Sequence, residues 1–152
     1  MKEFRVIIPE ENYAILEFKQ DELPGIAVIN KSLKEFEPKE VFSWHCSIML
    51  QFKNLIENGM PHESDRSKAE EFEDWLDEEI KGESKEKPNA LFLGRITWNA
   101  TRELIWRVYD PEKTNELLNT LIETKEYDLP FDYRIESDNE WKLAKWHLDN
   151  CK

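Results

Sequence analysis

Glycine is scarce in this chain of 152 residues, at four, and cysteine scarcer still, at two. No Gly-rich phosphate loop, His-Glu-x-x-His pattern or nucleophilic Ser elbow can be found. Cys46 and Cys151 form neither a close zinc-binding pair nor the dense framework of a secreted domain, so both are expected as reduced thiols. No stretch approaches the roughly 20 consecutive apolar residues that a bilayer demands. Residues Met1 to Glu11 mix Lys, Glu and Arg with Val and Ile and lack an apolar signal segment, so cytoplasmic residence is expected. Positive charge is in deficit: 21 basic against 33 acidic side chains leave a formal charge of −12. That field repels phosphate backbones and anionic membrane surfaces, and it favours a basic protein face, a cationic peptide or a metal ion.

What the chain has is aromatic mass. Six Trp, eight Phe and four Tyr supply the apolar area for a core, which excludes a disordered chain. The length fits one domain spanning 1–152. Phe4 to Ile8 and Tyr13 to Phe18 read as a hairpin about Pro9-Glu10-Glu11, and Leu23-Pro24-Gly25 as a turn into a third strand at Ile26 to Ile29. Residues 31–40 read as a loop or a short helical turn. From Phe42 to Phe52 apolar residues alternate without a break, which predicts a strand. Ser64 or Asp65 is expected to cap a helix running to about Ile80, with Ala69, Phe72, Leu76 and Ile80 on its apolar stripe. Ala90 to Trp98 and Arg102 to Tyr109 predict a hairpin around Asn99-Ala100. Asp110-Pro111 opens a helix to about Lys125. Phe131, Tyr133 and Ile135 alternate as a last strand, and Ser137 to Glu140 read as a capping box for a helix to about Leu148.

The order from Phe42 to Glu136 is strand, helix, strand, strand, helix, strand. It predicts an α+β, ferredoxin-like split βαβ sandwich: an antiparallel sheet with both helices on one face. Strands within 1–30 and a helix over 137–149 are additions to this 42–136 core. The helix side of the sheet is expected to carry Trp44, Cys46, Ile48, Leu50, Phe92, Ile96, Trp98, Leu104, Trp106, Val108, Phe131, Tyr133 and Ile135. The opposite side then receives His45, Ser47, Met49, Gln51, Arg95, Thr97, Glu103, Ile105, Arg107, Tyr109, Asp132, Arg134 and Glu136, a solvated or partly covered face. The RNA-recognition module shares this element order but stacks bases on aromatics of its central strands. His45, Ser47, Met49, Glu103, Ile105 and Arg107 supply no stacking pair, so RNA binding by this face is not expected.

His45 and Cys46 are neighbours on a strand and point to opposite faces, so they cannot act as a nucleophile–base pair. His62 and His147 are isolated, and no catalytic residue, metal site or cofactor is expected. The strongest charge feature is the helix carrying Glu70, Glu71, Glu73, Asp74, Asp77, Glu78 and Glu79. Its spacing does not resemble a calcium loop. Glu70, Glu71, Asp74, Asp77 and Glu78 are therefore the candidate partner-binding residues, an acidic docking surface for a basic protein.

Asn58-Gly59-Met60-Pro61 before an acidic helix, then Gly94-Arg95-Ile96-Thr97 leading through Thr101-Arg102-Glu103 into an aromatic strand, resembles the bacterial family labelled domain of unknown function 695. The closing Asp138-Asn139-Glu140-Trp141 fits that family and is similar to the regulator of ribonuclease activity B family. Ala144 and His147 stand where those patterns place aromatics. The resemblance implies a small acidic α+β protein that binds a ribonuclease and restrains RNA decay, and it carries over no catalytic residue. Arg102, Asp138 and Trp141 are expected to serve the fold.

The leading expectation is thus a non-enzymatic protein-binding module that regulates an RNA-processing enzyme by occlusion. The alternative is a binder of a small anionic ligand, or an enzyme, using His45, Arg95, Arg107 and Arg134, where guanidinium groups would hold a carboxylate or phosphate. A homodimer through an exposed strand edge is the third possibility.

Overall fold

The computed structural model describes residues 6–151. The first hairpin lies later in the chain than the sequence predicts. Strands β1 (Tyr13–Gln20) and β2 (Leu23–Asn30) pair antiparallel around Asp21 and Glu22. Both turn residues have positive φ, 50° and 67°, the backbone that a two-residue loop matched to strand twist requires. The expected turn, Leu23-Pro24-Gly25, is instead the start of β2. Pro24 is tolerated because the neighbouring ladder to β4 begins only at Gly25. Val6 to Ile8 form no strand but pack Val6 and Ile8 on an apolar cluster; Phe4 and Arg5 of the expected first strand lie outside the described residues.

Strand β3 (Trp44–Gln51) follows the predicted alternation, and Glu63–Lys81 forms the long helix α1. Neither Ser64 nor Asp65 caps α1. The cap is His62, whose ring nitrogen Nδ1 accepts the Ser64 N–H at 3.2 Å. Asp65 is buried and ties the exit of β3 to α1, accepting the Lys53 and Asn54 backbone N–H groups, each at 2.7 Å. Those bonds, that from Asn54 first, hold its carboxyl below the usual range. Strands β4 (Ala90–Trp98) and β5 (Thr101–Val108) form the predicted hairpin, and α2 (Pro111–Thr124) starts at the Asp110 cap. After β6 (Phe131–Ser137) no helix begins at the expected capping box. Asp138 caps later N–H groups, those of Lys142 and Leu143, and Trp141 takes a left-handed φ of 58°. Only Lys145–Asp149, α3, is α-helical.

The six strands form one antiparallel sheet in the order β1-β2-β4-β5-β3-β6. On one face Cys46, Ile48, Leu50, Phe92, Leu104, Trp106 and Val108 meet Ala69, Leu76 and Ile80 of α1 and Leu118 and Leu121 of α2. Helix α1 lies over β4 and α2 over β6. On the other face Ala27, Ile29, Leu91, Leu93 and Ile105 are covered by Leu33, Phe36 and Phe42 from the segment before β3, and by Trp141, Ala144 and Leu148 from the C-terminal segment. The sheet is thus covered on much of both sides: His45, Ser47 and Arg107 of the face expected to be solvated or partly covered are buried, while Gln51, Asp132, Arg134 and Glu136 remain exposed. Among the described residues, no helix is long and apolar enough to cross a membrane.

A β-bulge between Phe92 and Gly94 corrects the face assignment of β4. Before it, Phe92 faces the helices as expected. Beyond it the alternation inverts: Ile96 packs on the far cluster, while Arg95, opposite Leu104, turns towards α1. Thr97 follows Arg95, and Trp98 follows Ile96. Gly94 is required at this point because a Cβ there would lie 2.6 Å from the Val28 carbonyl oxygen of β2.

Candidate interaction surface

The carboxylates of α1 divide by the direction each takes around the helix. Leu76, Ala69 and Ile80 set the inward direction. On the flank towards β4 and β2, Glu73 accepts the Arg95 guanidinium at 2.8 Å. Its carboxyl is pushed up chiefly by burial, against the pull of Arg95 and Arg102. Asp77 accepts the indole N–H of the fully buried Trp106 at 2.9 Å, and its second oxygen takes the Lys81 ammonium at 2.9 Å. On the opposite flank Glu71 and Trp75 border a groove of about 510 Å³ closed on its far side by Tyr127 and Leu129. Glu70, Asp74 and Glu78 face solvent.

Of the five residues predicted to meet a partner, three therefore point outward. Glu71 is exposed but turned towards the α2 groove. Asp77 is half-buried and holds a core side chain in place. Glu70 makes one loose ion pair, 3.9 Å from Arg66 and well exposed, of a kind that adds little to stability. Asp74 and Glu78 have no ion-pair partner among the described residues. The helical period placed these carboxylates around the helix correctly. The alternation of β5 also carried the signal that Trp106 would face α1 and need an acceptor for its N–H.

The guanidinium group proposed as an alternative ligand site comes apart in the structure. Arg107 is fully buried and commits four of its five N–H donors within the fold. Its Nη1 donates to Asp138 Oδ2 at 2.9 Å and to His45 Nδ1 at 3.0 Å. Its Nη2 donates to the Asp138 carbonyl at 2.6 Å and its Nε to the Phe42 carbonyl at 3.3 Å, while the plane lies 4.7 Å from the Trp141 ring centre. The anion that Arg107 needs is Asp138, with no vacancy for another. His45, accepting from Arg107, must be neutral; burial first and then Arg107 lower its pKa to about 4. Arg134 lies opposite Ser47 on the neighbouring strand and is exposed. Arg95 is on the other side of the sheet because of the bulge.

The thiols do not supply a nucleophile either. Cys46 is fully buried, and burial pushes it up to about 12. Cys151 is buried too, its Sγ donating to the His147 carbonyl at 3.2 Å. A groove of about 820 Å³ runs between the 82–89 loop, Val6 and Ile8, and the start of α2, and is lined by acidic and basic side chains together.

Sequence reasoning did not single out the helix-side surface of the N-terminal hairpin. Ile15 is 71% exposed and Ile26 40% exposed there, beside Tyr13 and Val28. The alternation of Tyr13, Ile15 and Glu17 was the available signal, once β1 and β2 are paired with each other.

No curated protein and no solved structure matches the chain. A family model does match, over residues 14–145, from β1 through the first residue of α3. That span takes in all of the sheet but Tyr13, together with α1, α2 and the Arg107–Asp138 pair, and the chain accordingly belongs to DUF695, a family of unknown function.

Proposed function

We propose that this chain is a non-enzymatic, acidic protein-binding module that docks a basic surface of another protein. The observation that carries the reading is the outward face of α1. Glu70, Asp74 and Glu78 stand exposed on a helix whose inner-flank carboxylates, Glu73 and Asp77, are engaged by Arg95, Trp106 and Lys81. Carboxylates that the fold does not use supply long-range steering, and the formal charge of −12 reinforces it. The buried Arg107, already paired with Asp138, and the buried thiols favour this reading over a ligand site built on His45, Arg95, Arg107 and Arg134.

The finer parts of the reading belong with it. The strand order β4-β5-β3-β6, with α1 and α2 on one face, supports a ferredoxin-like split βαβ core over 42–136. Similarity to the regulator of ribonuclease activity B family, argued from Asp138 to Trp141, makes a ribonuclease the partner of choice and occlusion the mechanism. Residence would then be cytoplasmic.

The test is capture of partners from native lysate at low and high salt, using the intact chain and a Glu70→Lys/Asp74→Lys/Glu78→Lys variant. Asp77 is left untouched because reversing it would disturb Trp106. Capture should weaken steeply with salt and vanish in the variant. Capture indifferent to both changes would overturn the proposal.

A further inference from the structure

A helix with its side chains is about 10–12 Å across and neighbouring strands are about 4.8 Å apart, so one helix covers about two strands. Helices α1 and α2 therefore account for β4, β5, β3 and β6. Strands β1 and β2 continue the same sheet face past α1 and, among the described residues, carry no helix. The vacant seat is floored by Tyr13 and Ile15 of β1 and Ile26 and Val28 of β2, with Ile15 71% exposed. Register fixes that these four share the α1 side: Val28 lies opposite Arg95 and Ile26 opposite Thr97, and Arg95 bonds Glu73 of α1. The other face of the same hairpin is covered, since Ala27, Ile29, Leu16 and Phe18 pack on the far cluster.

The rim of this seat is acidic. The α1 flank beside it bears Glu70, Asp74 and Asp77, spaced to share one side of the helix. Glu17 stands on the floor itself, and Asp21 and Glu22 close the hairpin end. Among the described residues Arg95 pairs with Glu73 and Lys81 with Asp77 and Glu11, while Arg66 touches Glu70 only loosely; Lys19, next after Glu17 on the floor, is exposed and makes no ion pair, which leaves the carboxylates in excess. A second copy of the chain would bring the same acid excess onto this rim and be repelled.

We infer that the seat over β1–β2 receives a basic amphipathic helix of the partner, which lies beside α1 as a third helix of that layer. Its apolar stripe covers Tyr13, Ile15, Ile26 and Val28, and its Lys and Arg residues face Glu70, Asp74 and Glu17. The eight residues of β1 span about 27 Å, the length of about 18 helical residues. A contact this small belongs to transient recognition, in the micromolar range or weaker. This inference rests on the acidic-docking proposal and adds to it the apolar half of the site and the shape of its occupant.

The probe is a fluorescent Leu/Lys peptide of about 18 residues with helical apolar periodicity. It is titrated into the intact protein, and its contacts are mapped by amide chemical shifts. Two controls accompany it: the same composition reordered to alternate as a strand, and a Leu/Glu helical peptide. The helical Leu/Lys peptide should bind best and perturb amides of 13–19, 25–29 and 70–78. Ile15→Asp and, separately, Ile26→Asp should each weaken binding about tenfold or more, with unchanged circular dichroism and melting temperature. Perturbations centred on the 82–89 groove or the α1–α2 groove would overturn the inference. So would undiminished binding by a folded Ile15→Asp variant, a preference for the strand-period peptide, or a dimer in sedimentation that Ile15→Asp disperses. If Glu70→Lys/Asp74→Lys weakens binding while Ile15→Asp does not, acidic docking survives and the seat falls. If neither matters, both fall.

Discussion

Over β4, β5 and β3 the face shared with α1 and α2 is closed, with Leu104, Trp106 and Val108 fully buried and β6 packing its partly buried Phe131, Tyr133 and Ile135 against it, whereas on β1 and β2 the same face leaves Ile15 71% exposed. One continuous hydrogen-bonded sheet thus holds a finished region and an unfinished one. In the finished region charged groups are engaged inward. Asp77 serves Trp106, Glu73 serves Arg95, and on the reverse side Asp138 serves Arg107 and two backbone N–H groups. In the unfinished region apolar side chains are exposed next to carboxylates that the fold does not engage. Folding and binding therefore draw on different residues, and substitutions should separate the two.

The largest effect is expected at the buried ion pair. Replacing Arg107 by Met leaves Asp138 uncompensated and should cost about 3–5 kcal/mol in urea unfolding. A cost below about 1 kcal/mol would mean the covered face is not held by this pair. Acid comes next. Because His45 stays neutral to about pH 4 in the folded chain, only the unfolded chain takes up its proton below its ordinary value of 6.5. Stability from this group is therefore full above that value and lost as pH falls towards 4, by about 3 kcal/mol in all. His147, lowered in the same direction chiefly by burial, adds to the same trend. Chemical-denaturation midpoints measured across that window should show the decline, and His45→Gln should flatten it.

Asp77→Ala should cost about 1–3 kcal/mol, because it leaves the Trp106 indole N–H buried without an acceptor. The same measurement on Asp74→Ala, one turn away but exposed, should show a change within about 0.5 kcal/mol. Equal costs would erase the distinction between engaged and free carboxylates on α1. The smallest effect belongs to the unfinished region: Ile15→Ser should shift thermal stability by no more than about 0.5 kcal/mol while reducing peptide binding.

Much of the finished region was legible because its signals are periodic. Phe42 to Phe52 alternate at period two and Ala69, Phe72, Leu76 and Ile80 repeat at helical spacing, and β3 and α1 formed where those patterns lie. What sequence reading lost came from single-residue events that shift a period. Gly94 inverts the faces of β4, so Arg95 joins α1 instead of His45 and Arg107. A glycine inside an otherwise unbroken strand pattern was the available warning. The β1–β2 turn uses Asp21-Glu22 rather than Asn-Gly, so the hairpin signal was drawn to Pro24-Gly25 nearby. At the C-terminal end, Ser137 to Glu140 were read as a capping box, but it is Asp138 that accepts backbone N–H groups, those of Lys142 and Leu143. Pairing with Arg107, 31 positions away in the chain, is a tertiary fact that no local pattern encodes. The candidate surface was half legible, since charge on α1 can be counted in the sequence. The bare hairpin face becomes visible only once the two helices are seen to cover four of six strands.

The most direct test of the account is the salt dependence of binding between the intact protein and the helical Leu/Lys peptide, run in parallel on the Glu70→Lys/Asp74→Lys/Glu78→Lys variant. The account predicts an affinity that falls steeply as salt rises in the parent and is already lost at low salt in the variant. An affinity that is flat with salt, or shared equally by parent and variant, would contradict it.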